Sequence, residues 1–155
     1  MNPNTLKNLL ASLSTTNIRF ILVGGLAVEL CGYARATYDV DLLIDHDDTN
    51  VSRFLEIVSD IGAGNAKALT TSDFDLSEGC ITIHEDDLQI DVFTIMGGYT
   101  YEKLMTFTSI HQLDDATSLH YLNAEGLILL KSTSARPKDQ NDVFHLREIT
   151  SNSKI

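Results

Sequence analysis

The sequence contains few residues that cross-link or interrupt a chain, with two cysteines and two prolines among 155 residues. Cys31 and Cys80 lie in apolar stretches without the spacing of metal ligands, so we expect them to be reduced core residues of an intracellular protein. This pattern excludes a zinc site and a disulfide framework. Because the sequence also lacks repeats and low-complexity segments, we expect one domain over residues 1–155.

Positive charge and long hydrophobic runs are also scarce. Eleven basic residues stand against 22 acidic ones, which gives a formal net charge of -11 and a pI near 4.6. Such a chain lacks the general electrostatic footprint that binds nucleic acid or anionic membranes, although a compact anion is compatible with it. No stretch approaches the roughly 20 apolar residues that cross a bilayer, and the amino terminus lacks the basic start of a secretory leader. We expect a cytoplasmic protein that does not bind membranes.

The spacing of the apolar residues predicts a mixture of helices and strands. The predicted helices are an amino-terminal helix behind Asn2 or Asn4, 26–31, 49–61 behind Asp48 or Thr49, 123–131 behind Asn123, and Pro137 to about 149. The predicted strands are 19–23, 38–44, 80–84, 88–95, and two short strands near 106–112 and 118–122. The runs 80–84 and 88–95 are typical of an antiparallel hairpin. We expect the last two helices, about 123–149, to pack as a carboxy-terminal subregion of the domain.

Two aspartates interrupt the apolar strand predicted over residues 38–44. Because alternate residues of a strand face the same side, Asp39 and Asp41 point together, opposite to Val40 and Leu42. Their oxygens can converge on a hard cation, whereas without a metal ion the two carboxylates repel each other. The alternative is that both lie on the solvent face of an edge strand, which the pair by itself does not exclude.

Two further features favour a site over a solvated strand. Gly24-Gly25 ends the preceding strand, and a glycine turn at a helix amino terminus presents backbone N–H groups to phosphate. Asp91 lies within an apolar strand of the predicted hairpin, where aspartate is uncommon. The sequence therefore predicts three carboxylates beside a phosphate-binding turn.

The order and spacing of these motifs resemble the DNA polymerase beta-like nucleotidyltransferase superfamily. The resemblance is to its small bacterial members in particular, such as AbiEii-type toxin enzymes and lincosamide-type antibiotic nucleotidyltransferases. It covers most of the chain and rests on residues 20–27, 35–44, 88–93, and 131 with 136–142. It implies an α/β (α+β) chain with the nucleotidyltransferase fold, in which a mixed sheet carries the catalytic aspartates and helices flank it.

The resemblance also implies a role for each motif. Gly24 and Gly25 hold the nucleotide phosphates, and Asp39 and Asp41 bind magnesium. Asp91 completes the second metal position and accepts the proton of the attacking hydroxyl. Two Mg2+ ions and an NTP substrate are therefore expected.

Four more residues are expected to bind the nucleotide, namely Arg35, Thr37, Lys131 and Lys138. For Arg35 the alternative is a solvated loop charge, and for Lys131 it is neutralisation of the carbonyls at its own helix end. Lys138 lies in the first turn of the last helix, where its acidic neighbours can be explained by the helix dipole alone. The histidines lack metal-ligand spacing, and Tyr99 and Tyr101 either stack a base or cover the core.

The expected reaction is transfer of an NMP from an NTP to a hydroxyl or phosphate acceptor. The expected setting is the toxin or enzyme part of a toxin–antitoxin or defence system. Three acceptors are compatible with the sequence, namely a small molecule, a protein hydroxyl and an RNA end. The acidic net charge favours the first two. The alternatives are an antibiotic nucleotidyltransferase of the lincosamide or aminoglycoside type, and a non-catalytic binding or regulatory module of this fold. The short chain is compatible with a homodimer or a partner subunit.

Overall fold

The computed structural model describes residues 2–153, in which helices alternate with strands as far as residue 59 and strands predominate over residues 81–122. Its α-helices are α1 Pro3–Thr15, α2 Gly24–Leu30, α3 Asp48–Ser59, α4 Tyr101–Leu104, α5 Ala124–Lys131 and α6 Pro137–Ser153. Its strands are β1 Phe20–Val23, β2 Val40–Ile44, β3 Ile81–Glu85, β4 Leu88–Phe93, β5 Ile95–Met96, β6 Tyr99–Thr100, β7 Thr108–Gln112 and β8 Ser118–Leu122. Short 3-10 turns occupy Ala66–Ala68, Thr71–Asp73 and Met105–Phe107.

Within the described range, six of these strands form one mixed sheet in the order β3-β4-β2-β1-β8-β7. Strand β2 is parallel to β4 and antiparallel to β1, and β1 is parallel to β8. Each edge is an antiparallel hairpin, β3–β4 on one side and β7–β8 on the other. The short pair β5–β6 forms a separate ribbon. The expected α/β fold with a mixed sheet and flanking helices is confirmed.

Alternation along the strands divides the core between the two faces of the sheet. Val40, Leu42 and Ile44 of β2 pack with α1 and α3 on one face. Leu43 packs on the other face with residues of α2, α4, α5 and α6. Asp41 shares the second face with Leu43, so it points towards the side of the sheet that α2 and α5 cover. This geometry sets where a site built on β2 must lie.

Side chains cap the amino termini of α1, α3 and α5. The side chain of Asn2 accepts a hydrogen bond from Asn4 N, and that of Asn123 accepts one from Gly126 N, as expected for amino-terminal caps. The prediction that Asp48 or Thr49 caps α3 is wrong, because Asp47 lies at the cap and accepts from Asn50 N. The sequence offers an aspartate at 45, 47 and 48, and spacing alone did not choose among them.

Several other predictions change in detail. Cys31 is only half-buried and Cys80 is exposed, so the expectation that both are core residues is wrong for Cys80. Helix α6 extends to Ser153, beyond the predicted end near 149. Residues 1, 154 and 155, which the predicted domain includes, lie outside the described residues, and the single-domain division stays a prediction. None of the helices in residues 2–153 is long and apolar enough to span a membrane.

Candidate active site

Three carboxylates meet where β2 and β4 run side by side. Asp41 and Asp91 are direct neighbours in the parallel pairing of these strands, and Asp39 comes immediately before β2. One carboxylate oxygen from each lies within 4.8 Å of the others, which is close enough to share a metal ion. The expectation that Asp39 and Asp41 share a face is therefore met, and the cluster is not the solvent face of an edge strand because β2 lies between β1 and β4.

The glycine turn lies directly against this cluster. Gly24 has a positive φ of 68°, and a Cβ added there would overlap the carboxylate of Asp41. A Cβ at Gly25 would lie 2.7 Å from Thr37 Oγ1 and 3.2 Å from Arg35 Nη1. Both positions therefore need glycine for close approach, and Gly24 also needs it for its backbone conformation. The turn brings the first backbone groups of α2 next to the acidic cluster.

Burial and the nearness of the other carboxylates raise the pKa values of Asp39 and Asp41. Burial, together with the charges of Asp39 and Asp91, raises the pKa of Asp41 to about 7, although Lys131 and Lys138 oppose this shift. Burial and the nearness of Asp91 also raise the pKa of Asp39. Oxygen donors that repel one another in this way fit a hard divalent cation, whose charge would offset the repulsion. Asp39, Asp41 and Asp91 are thus the residues that could hold the expected metal.

Asp91 is held by neighbours that the sequence reading missed. Thr82 Oγ1 donates a 2.7 Å hydrogen bond to Asp91 Oδ1, and Gln89 Nε2 lies 3.5 Å from both carboxylate oxygens. The register of the β3–β4 hairpin pairs Thr82 with Asp91 across the strands. The sequence predicted a three-residue connection over 85–87, whereas Glu85 belongs to β3 and pairs with Leu88, so the register that opposes Thr82 to Asp91 was not predicted.

All nine residues predicted for the site line one cavity of about 490 Å³. These are Gly24, Gly25, Arg35, Thr37, Asp39, Asp41, Asp91, Lys131 and Lys138. Arg136, which was not among the expected nucleotide-binding residues, also lines the cavity. Sequence reasoning missed Cys80 and the apolar wall of Phe93, Met96, Leu122, Leu127 and Leu130. The structure thus brings the predicted residues together, while their individual roles stay predictions.

The basic residues of the cavity are held by acidic residues of α6. Arg35 is not a solvated loop charge, because its Nη2 donates a 3.0 Å hydrogen bond to Asp142 Oδ2 and its Nε lies 2.9 Å from Asp142 Oδ1. Lys131 Nζ lies 2.9 Å from Asp139 Oδ1 and 3.2 Å from Asp142 Oδ2. Asp139 and Asp142 therefore do more than complement the helix dipole. Lys138 is exposed at the cavity rim.

Thr37 and Cys80 bring a hydroxyl and a thiol to the cavity. Thr37 Oγ1 is buried and has no hydrogen-bond partner among the described residues, so it is available to a ligand beside Gly25. Burial raises the pKa of the Cys80 thiol, and the nearby carboxylates add to this effect against a hydrogen bond with Thr82. The thiol is therefore held in its protonated form. Tyr99 and Tyr101 pack against the core cluster of α2 and α5, which agrees with a covering role.

The fold and the site together define the class. A mixed sheet that places three carboxylates beside a glycine turn agrees with the fold of solved nucleotidyltransferases. The family model described as "Nucleotidyl transferase of unknown function (DUF2204)" matches residues 2–155. The chain belongs to this family, and the resemblance inferred from the sequence is confirmed.

Solved structures agree with this assignment. The chain is similar to the lincosamide antibiotic adenylyltransferase LnuA in its lincomycin-bound form, with a TM-score of 0.65 and 15% sequence identity over 96% of this chain and 98% of that one. It is also similar to ANT(2")-Ia in complex with adenylyl-2"-tobramycin, with a TM-score of 0.56 and 13% identity over 92% of this chain and 85% of that one. At these identities the likeness shows the fold. No curated protein matches the chain.

Proposed function

We propose that this protein transfers an NMP from an NTP to a hydroxyl acceptor with the help of magnesium ions. The observation that carries the proposal is the cluster of Asp39, Asp41 and Asp91, whose oxygens lie within 4.8 Å of one another beside Gly24-Gly25. Two bound Mg2+ ions would activate the attacking hydroxyl and neutralise charge that develops on the phosphates. Asp39, Asp41 and Asp91 would hold these ions.

The residues around the cluster have complementary tasks in this proposal. The backbone N–H groups at Gly24 and Gly25, with the free hydroxyl of Thr37, bind the phosphates. The cations Arg35, Lys131 and Lys138 lie on the same cavity and attract the triphosphate. Asp91 is hydrogen-bonded by Thr82, which orients it to accept the proton of the acceptor hydroxyl. Pyrophosphate leaves on the cationic side.

We further propose that the acceptor is a small molecule or a protein hydroxyl and not an RNA end. The net charge of -11 repels a polyanion outside the cavity, and four of the 11 basic residues are used inside it. Two similar structures are named for antibiotic substrates or products, which makes lincomycin and tobramycin the first small molecules to test. A protein acceptor would instead support a toxin of a toxin–antitoxin system.

The first experiment is a thermal-shift screen with each NTP, with and without Mg2+. We expect one NTP to raise the melting temperature only when Mg2+ is present, because a ligand that binds the folded state stabilises it by mass action. Asp39→Asn and Asp91→Asn should abolish this shift. The control variant Asp115→Asn removes an exposed carboxylate that lies outside the cavity and should keep the shift.

Labelled NTP then tests the reaction itself. Wild-type protein with Mg2+ is incubated with lincomycin, tobramycin, a cell protein extract or RNA, and the transfer of label is measured. Label on a small molecule or protein that disappears in Asp41→Asn supports the proposal. Magnesium-dependent NTP binding without transfer to any acceptor would favour the non-catalytic binding module, and no NTP binding at all would overturn the proposal.

A further inference from the structure

One buried carboxylate connects the two cations that lie deepest in the cavity. Asp142, on α6, is only 1% exposed, and it contacts Arg35 through both of its oxygens. Its Oδ2 also lies 3.2 Å from Lys131 Nζ. The residue thereby joins three segments of the chain, namely the loop after α2, the end of α5, and α6. A buried charge is costly unless it is paired, and Asp142 is paired twice.

The geometry of Arg35 shows what this pairing does to the site. Asp142 occupies the edge of the guanidinium formed by Nε and Nη2. The remaining group, Nη1, donates to the carbonyl of Ala36 and lies 3.2 Å from the position of a Cβ at Gly25. The planar guanidinium is therefore fixed with its third nitrogen against the glycine turn, where a flexible side chain would otherwise sample many rotamers.

We propose that Asp142 is a positioning residue for the nucleotide, which holds Arg35 and Lys131 at the phosphate-binding turn without contacting the NTP. This inference rests on the proposed nucleotidyltransferase function. The competing explanation is that Asp142 only ties α6 to the rest of the fold. The two explanations predict different effects when an uncharged residue replaces Asp142. Loss of a positioning residue weakens substrate binding, whereas loss of a structural tie lowers stability alone.

The test is the steady-state kinetics of Asp142→Asn, measured with the NTP that the thermal-shift screen selects. The variant keeps the shape of the side chain but turns an amide group towards one of the cations, so the two cations lose their fixed position. We expect KM for the Mg–NTP complex to rise about tenfold or more with kcat changed much less, as for lost ground-state binding. An unchanged KM in a folded variant would overturn the inference.

Glu85→Gln is the matched control. Glu85 is also fully buried, at 0% exposure, and accepts hydrogen bonds from Gly64 N and Ala66 N, but it does not line the cavity. Its replacement should lower the melting temperature and leave KM at the wild-type value. If Glu85→Gln raised KM as much as Asp142→Asn, the effect of Asp142 would be general destabilisation and the inference would fail.

A double-mutant cycle shows whether Asp142 acts through its partner. In the background of Arg35→Gln, we expect Asp142→Asn to raise KM by less than about threefold, because the guanidinium that it positions is already gone. Full additivity of the two effects would contradict the inference. If Asp142→Asn does not fold, Asp142→Glu replaces it, which keeps the charge but displaces the carboxylate. A rise in its KM supports the inference and an unchanged KM overturns it.

The outcomes separate this inference from the function on which it rests. If the wild-type protein binds no NTP in the presence of Mg2+, the proposed function itself fails and the inference fails with it. If the wild-type protein binds and transfers nucleotide while Asp142→Asn does so with the same KM, only the positioning role is lost.

Discussion

Gly24 is required for two reasons, its positive φ and its close contact with the carboxylate of Asp41. In Gly24→Ala the new Cβ meets the carboxylate of Asp41, and the positive φ adds about 1 kcal/mol of backbone strain. We expect Asp41 to be displaced, so that nucleotide transfer falls below about 1% of the wild-type rate, as for lost electrostatic stabilisation of the transition state. Transfer of label and urea unfolding measure the two effects.

Gly98→Ala is the control for the strain alone. Gly98 also has a positive φ, of 82°, but an added Cβ would have no atom within 4 Å among the described residues. This variant should lose about the same 1 kcal/mol of stability and keep its activity. Equal loss of activity in the two variants would mean that Gly24 acts through general stability and not through Asp41.

The raised pKa of Asp41 predicts how the stability of the metal-free protein changes with pH. The folded-state pKa is about 7, and the unfolded value is about 3.9. Between these values the folded protein keeps a proton that the unfolded chain releases. The stabilisation by this group is therefore complete below about pH 4 and is lost as the pH rises through about 7.

We therefore expect the metal-free protein, in the presence of EDTA, to unfold at a lower urea concentration at about pH 8 than at about pH 6. Asp41→Asn should reduce this difference, because the amide does not titrate. Addition of Mg2+ at the higher pH should restore stability to the wild-type protein and not to the variant. If both proteins showed the same pH dependence of stability, a group other than Asp41 would be its cause.

At the scale of the elements, strand β2, the β3–β4 hairpin and helix α5 were predictable because each has a local signal, although β2 begins at Val40 and not at the predicted residue 38. The DxD alternation, the acidic turn and the cap Asn123 lie within a few residues of the element they define. The sequence did not predict β5, β6 and α4 within residues 95–107, because elements of two to four residues are too short to show a hydrophobic periodicity. Cys80 was wrongly predicted to be a core residue of a strand. Strand β3 begins only at the next residue, Ile81, and Cys80 lines the cavity instead.

A side chain from the preceding loop is hydrogen-bonded to the β3 edge of the sheet, which gives a prediction. The side chain of Asn65 accepts a 2.7 Å hydrogen bond from His84 N and donates one of 3.2 Å to Thr82 O, so it closes part of this edge. We expect Asn65→Ala to lose about 1–2 kcal/mol of unfolding free energy, since two hydrogen bonds disappear at an exposed position. Nucleotide transfer should be retained.

Urea unfolding, with activity measured in parallel, checks this prediction. Asn8→Ala on the exposed side of α1 is the control, and it should change the unfolding free energy by less than about 0.5 kcal/mol. A value for Asn65→Ala within that range would mean that water replaces the two hydrogen bonds without loss.

At the scale of the whole molecule, contacts distant in the sequence determine the site. The motifs gave the three aspartates and the glycine turn, but the strand order and the mixed directions of the sheet do not follow from any local pattern. The pairing of Arg35 with Asp142 joins residues 107 positions apart, and composition gave no reason to connect them. Sequence reasoning could therefore name the residues of the cavity but not the ion pairs that hold its cations.

Net charge leads to a prediction about polyanionic partners. The chain carries -11, and within the cavity Arg35 and Lys131 are paired with acidic residues of α6. We expect bulk tRNA to leave the melting temperature and the NTP-dependent thermal shift unchanged at about 150 mM salt, because like charges dominate at the surface. Small-molecule transfer should also vary little between roughly 50 and 200 mM salt. If RNA instead stabilised the protein and this effect fell steeply with salt, the exposed cations Arg136 and Lys138 would be a nucleic-acid contact, and the acceptor would be an RNA end.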